Sequence, residues 1–182
     1  MHPAAPRLDD DDFALLGLPR RHQIDEAALE SAWRDWQSRV HPDRHVGQGD
    51  AGRRLAMQWS LRINEAHRRL KDPVQRGAYL CELRGQAVDA ERNTAMPADF
   101  LMQQMQWREA LDDADSVAAL DALLAEAATQ RHHWLERLQT ALDVDGDTAA
   151  AAQAVRALMF VQRLRHEASA RQAALDAAAD LP

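Results

Sequence analysis

The chain has 182 residues, 46% of them hydrophobic and 28% charged, which allows one domain or two small ones with enough apolar material for a core. A single cysteine, Cys81, excludes an internal disulfide and a cysteine-based zinc site, and no apolar run is long enough to cross a bilayer. The net charge of −7 is uneven, with residues 1–80 at +1 and residues 81–182 at −8, so a basic nucleic-acid patch is not expected in the second half. Met1 to Arg7 lacks the apolar run of a signal peptide, so the expected location is the cytoplasm.

Phe13-Ala14-Leu15-Leu16-Gly17 reads as a short helix. Asp9 to Asp12 favour its N-terminal dipole, and Gly17 suits its C-terminal stop. From about Glu26 to Val40, the residues Leu29, Trp33, Trp36 and Val40 recur at helical spacing. His41-Pro42-Asp43-Arg44 breaks that helix, because the Pro42 ring clashes with the preceding turn and has no N–H to donate. Pro42 also pushes His41 out of helical backbone, leaving an imidazole and a carboxylate on a stiff corner. A second stripe follows, Leu55, Trp59, Ile63, Ala66 and Leu70. Asp72 then reads as an N-cap, with Pro73 the first residue of a fourth helix.

Two antiparallel helices joined by a loop opening with His41-Pro42-Asp43 resemble a J-domain, the module that activates DnaK-type ATPase chaperones. The layout matches from about Asp9 to Tyr79. The resemblance implies that Arg34, Arg39, His41, Pro42, Asp43 and Arg44 face the chaperone. Read instead as a catalytic acid–base pair, His41 and Asp43 lack a nucleophile, a second carboxylate cluster and a glycine-rich phosphate loop. Neither His41 with His45 nor His132 with His133 suits a metal. The first pair straddles Pro42, and adjacent helical residues face apart.

Residues 86–96 lack periodicity and read as a linker between domains at 9–85 and 97–180. Three helices are traced beyond it. The first runs from Pro97, placed in its first turn, to about Ala114. The second runs from Asp115 or Ser116 to about Leu142, with Leu120, Leu124, Ala127, Trp134 and Leu138 on one side. The third runs from about Thr148 to Ala178, with Leu158, Val161, Leu164 and Leu175 as its stripe. Short connections favour an antiparallel three-helix bundle. Asp143-Val144-Asp145-Gly146-Asp147 fails as a calcium loop, because Thr148 stands at the glycine position and Ala154 at the closing glutamate. It reads as a solvated turn.

The first of these helices has two apolar faces. At about 100° per residue, Phe100, Trp107, Leu111 and Ala114 fall together. Leu101, Met102 and Met105 lie on another face, continued by Glu109, Asp112 and Asp113. A bundle buries one face, and the methionine-bearing one is either covered by the linker or the N-terminal domain or left as a binding surface for a partner.

The run from Phe100 to Asp112, with the ending Tyr79-Leu80-Cys81-Glu82-Leu83-Arg84-Gly85, is similar to the HscB family, J-type co-chaperones of iron–sulfur cluster assembly. In that family the J-domain stimulates the chaperone HscA, and the C-terminal bundle binds the scaffold protein IscU. The resemblance implies scaffold contacts at Leu101, Met102, Met105, Gln106, Glu109 and Asp113, joined by Phe160 from the last helix. The bacterial family often has a glutamate where this chain has Gln106, which lowers the charge there. By angle, Phe160 leans off the main stripe of its helix. The expectation is an all-α, two-domain co-chaperone with no catalytic chemistry, cofactor or metal of its own. Its partners would be an HscA-like ATPase and an IscU-like scaffold, with neither nucleic acid nor membrane. The alternative is a J-domain co-chaperone serving a different client.

Overall fold

The computed structural model describes residues 6–40, 49–88 and 96–179, and the corner His41 to Arg44 lies outside them. The described residues form seven helices and no strand: α1 (Asp12–Leu15), α2 (Glu26–Val40), α3 (Gly49–Lys71), α4 (Pro73–Leu83), α5 (Ala98–Asp113), α6 (Val117–Thr140) and α7 (Thr148–Ala179). They divide into two compact units, Met1–Leu80 and Cys81–Pro182, with the division inside α4.

In the first unit each helix boundary has a local cause. The Asp11 carboxylate accepts from the Phe13 and Ala14 N–H groups at 3.0 and 3.1 Å and so caps α1. Gly17, at φ +65, ends that turn in left-handed backbone, and the Leu18 N–H returns to the Phe13 carbonyl at 2.8 Å. Asp72 caps α4 through the Val74 and Gln75 N–H groups at 2.8 and 3.0 Å. Both caps restore donors that a helix start otherwise leaves unpaired.

The hairpin of α2 and α3 is pinned by polar bonds between its rings. Trp36 donates its indole N–H to the Leu15 carbonyl at 2.9 Å and stacks on Trp59 with centroids 5.0 Å apart. Trp33 donates to the Asn64 side chain at 2.9 Å and stacks on His67 at 4.7 Å. Glu30 meets both His67, at 3.0 Å, and Lys71, at 2.8 Å. Contacts that rise in number along α2 while falling along α3 make the pair antiparallel. The buried stripe of α3 is Ala56, Ile63, Ala66 and Leu70, with Trp59 half-buried. Leu55, expected in that stripe, is exposed, because the three-and-four repeat passes through Ala56 instead.

Asp12 is fully buried, and its carboxylate pairs with Arg62 at 2.7 Å and Arg69 at 2.9 Å from α3. Its N–H donates to the Tyr79 hydroxyl at 3.1 Å, and Phe13 stacks on the Tyr79 ring. Buried Arg76 donates to the His22 carbonyl at 2.7 Å and to the Leu70 carbonyl. These bonds tie the segment before α2 to α3 and α4.

In the second unit α6 runs antiparallel to both α5 and α7. Phe100 meets Trp134, Gln103 bonds Glu126 at 2.6 Å, and Gln172 bonds Asp121 at 2.7 Å. Pro97 is the cap residue ahead of α5 rather than a first-turn residue, and its carbonyl accepts from Phe100 and Leu101. Ser116 caps α6 through Ala119. That helix continues into one π-helical turn, Ala141–Asp145, which buries Ala141 and Leu142 before Gly146 stops it at φ +70. The turn expected to be solvated is exposed from Val144 to Asp147, and the buried residues Ala141 and Leu142 precede it. The buried face of α7 is mostly small: Ala151, Ala152, Ala154, Ala157 and Ala168 beside Val155, Leu158, Val161 and Leu164. Small side chains let the α6 and α7 axes approach closely. On α6, Leu123 takes the core place expected of Leu124, and Leu175 of α7 is only half-buried.

Candidate functional site

On α5 the two faces separate. Phe100, Trp107 and Leu111 are at most 6% exposed and point into the bundle, and Ala114 just beyond the helix end is buried with them. Leu101, Met102 and Met105 are 41%, 56% and 73% exposed. Gln106, Glu109, Asp112 and Asp113 are exposed beside and beyond them.

Phe160 on α7 links this outer face to the interior. It is half-buried, lies nearly parallel to Trp107 with centroids 6.2 Å apart, and meets Phe100 edge-on at 6.0 Å. Phe100 in turn meets Trp134 edge-on at 5.1 Å. Such offset and edge-on pairs add about 0.5–1.5 kcal/mol each beyond their buried area. The Arg108 guanidinium lies over the Phe160 ring, 5.8 Å from its centroid, and pairs with Glu167 at 2.6 Å. Leu101, Gln104, Met105, Arg108 and Phe160 together line an open groove of about 650 Å³.

Sequence reasoning missed Gln104, Arg108 and Glu167. Arg108 sits seven residues beyond Leu101, on the same side of the helix, so a helical wheel carried that signal. Its pairing with Glu167, across two helices, had none. Chemically the groove offers thioether and aromatic surface beside the Arg108 guanidinium, with Glu109, Asp112 and Asp113 exposed further along α5. It suits an apolar projection.

On α2, Arg34 and Arg39 are exposed, and the Arg39 guanidinium lies 5.6 Å from the Trp36 ring centroid. His41, Pro42, Asp43 and Arg44 lie outside the described residues. Lys71 and then His67 hold the Glu30 carboxyl below the usual range, so Glu30 stays anionic and engaged with α3. Burial pushes the Cys81 thiol up to about 11, so it is not a thiolate nucleophile at neutral pH. Among the described residues no group of three or more His, Cys, Asp or Glu side chains is placed to hold a metal ion. No described helix is long and apolar enough to cross a membrane.

Comparison with known proteins places this geometry. The family model of the HSCB C-terminal oligomerisation domain matches residues 96–169. A co-chaperone protein HscB homolog of Burkholderia multivorans is 52% identical over 167 residues, covering 90% of this chain and 95% of that protein. One from Bordetella petrii is 52% identical over 166 residues, covering 91% and 98%. Among solved structures, chaperone HscB from Vibrio cholerae superposes with a TM-score of 0.83 at 36% identity, covering 91% of this chain and 99% of its own. Human co-chaperone protein HscB shares the fold, with a TM-score of 0.86 at 23% identity, covering 92% and 85%.

Proposed function

The chain belongs to the HscB co-chaperone family, and from that premise we propose that it stimulates an HscA-like ATPase through its J-domain and delivers an IscU-like iron–sulfur scaffold through its C-terminal bundle. The observation that carries the delivery half is the outward face of α5, where Leu101, Met102 and Met105 stay exposed beside Phe160 while the opposite face fills the core. Gln106, Glu109 and Asp113 flank that face and complete the docking surface. On the J-domain, Arg34 and Arg39 present positive charge to an acidic chaperone, next to His41, Pro42, Asp43 and Arg44. Holding both partners on one chain makes the second encounter intramolecular, which raises local concentration without any new contact.

The test is ATP turnover by the chaperone against co-chaperone concentration, with and without scaffold. Scaffold should lower the concentration of wild-type chain needed, as tethering gains reach about 10²–10⁴. Leu101→Ser, Met102→Ser and Met105→Ser combined should lose that gain and keep scaffold-free stimulation. His41→Gln or Asp43→Asn should lose stimulation in both conditions without lowering the melting temperature. A wild-type response indifferent to scaffold would favour a J-protein serving a different client.

A further inference from the structure

We propose that Arg108, held by Glu167, is a positioning residue of the α5 groove: its guanidinium fixes the Phe160 ring as the groove's wall. The consequence for binding rests on the reading of α5 as the scaffold-docking face; the positioning itself does not.

Leu101, Gln104, Met105 and Arg108 follow one another at steps of three and four along α5, so they share a side of the helix, and with Phe160 they line the groove. Arg108 is the one charged side chain among those five. On α7, Phe160 and Glu167 are seven residues apart, which is about two turns, or 10 Å, along the helix. The Arg108 guanidinium reaches both. It lies 5.8 Å from the Phe160 centroid, within the range of a cation–π contact, and 2.6 Å from the Glu167 carboxylate.

Each partner passes over a nearer choice. Glu167 has Arg163 four residues before it, and Arg108 has Asp112 four residues after it, the spacing at which side chains of one helix meet. Among the described residues neither of those pairs forms, and the cross-helix pair does. A guanidinium bonded to Asp112 would lie along α5, whereas one bonded to Glu167 is drawn across onto Phe160. The ring has a use for that contact. Buried Trp107 and Phe100 meet it from the interior, at 6.2 and 6.0 Å between centroids, while Arg108 meets it from the groove. Without Arg108 a half-buried phenylalanine gains freedom on its outer side, and docking must then remove that freedom. A planar guanidinium suits the task because it stacks on an aromatic face while its edge bonds a carboxylate. Both members of the ion pair are part-exposed, so the effect on binding is moderate.

The experiment joins two measurements on the full chain: aromatic NMR of the free protein with labelled phenylalanine, and calorimetric titration with a purified IscU-like scaffold protein. Glu167→Gln, two turns from Phe160, should move the Phe160 ring signals. It should move them no further in a chain that already carries Arg108→Gln. Signals that ignore Glu167→Gln, or that respond equally without Arg108, overturn the inference. Arg108→Gln and Glu167→Gln should each weaken scaffold binding about three- to tenfold. The double variant should bind no worse than Arg108→Gln alone, and in a Phe160→Leu chain the same substitutions should leave affinity unchanged. Affinity that survives Glu167→Gln but falls with Arg108→Gln, or losses that persist in the Phe160→Leu chain, would assign Arg108 to direct contact with the scaffold and overturn the positioning. A wild-type chain that binds no scaffold while its Phe160 signals respond as expected sinks the functional reading alone.

Discussion

The two compact units handle their tryptophans in opposite ways. In the first, Trp33 and Trp36 are half-buried and each indole N–H has a partner, Asn64 or the Leu15 carbonyl. In the second, Trp107 and Trp134 are buried, and neither N–H has a hydrogen-bond partner among the described residues. The first unit holds its helices with directional bonds, including Asp12 to two arginines and Arg76 to two carbonyls. The second has its polar pairs, Gln103–Glu126, Gln172–Asp121 and Arg108–Glu167, between exposed or part-exposed side chains, and fills its interior with alanine contacts and aromatic rings. Directional bonds set how a helix points. Apolar packing is non-directional and needs only one face per helix, which leaves the other face of α5 exposed.

The comparison breaks most sharply at Trp107. Trp107→Ala removes the ring between Phe100 and Phe160 and should destabilise the second unit by about 3–5 kcal/mol in denaturant unfolding. Replacing Leu101, Met102 and Met105 with alanine should cost within about 0.5 kcal/mol each. The reverse ranking would mean that the outer face is structural.

Asp12→Ala tests the polar half. It strands Arg62 and Arg69 and should cost about 2–3 kcal/mol, below the figure for a fully buried pair, because the two arginines keep 22% and 30% exposure. An unfolding midpoint equal to that of the wild type would show that α1 is held by Phe13 packing alone.

Asn64→Ala removes the acceptor shared by Trp33 and Gln37 and should cost about 0.5–1.5 kcal/mol. Loss of Trp33 indole N–H protection in proton exchange would accompany it. Protection that stays unchanged would show that stacking on His67 alone seats the ring.

The smallest effect is at Asp11. Partial burial raises its carboxyl, but Arg20 and the Ala14 and Phe13 N–H groups outweigh that and leave it below the usual range. A depressed carboxyl contributes stability above its unfolded value of about 3.9 and loses it as pH falls through the lower folded value. Acid titration of Asp11→Asn should therefore show a deficit at neutral pH that closes at the acid end. A deficit constant with pH would show that the charge of the Asp11 carboxylate adds nothing to stability.

What could be read from single elements was local. The apolar stripes of α2 and α3, the Asp72 cap, the Gly17 stop and the two faces of α5 all follow from helical periodicity and from bonds spanning a few residues. Placement off by one position, as with Leu55 for Ala56 and Leu124 for Leu123, shows the limit of an angle read without a neighbour. Asp11 and Asp12 look alike in an acidic run, yet one caps a helix and the other is buried under two arginines, Arg62 and Arg69, from a distant helix.

The helices and the polarity of their faces were legible along the chain, because backbone hydrogen bonding and a 3.6-residue repeat act within one segment. Packing between helices decided that Arg108 pairs with Glu167 over Phe160, that α6 widens its last turn into a π-helix burying Ala141 and Leu142, and which arginines Asp12 meets. Those contacts depend on the register of one helix against another, and no local rule contains that distance.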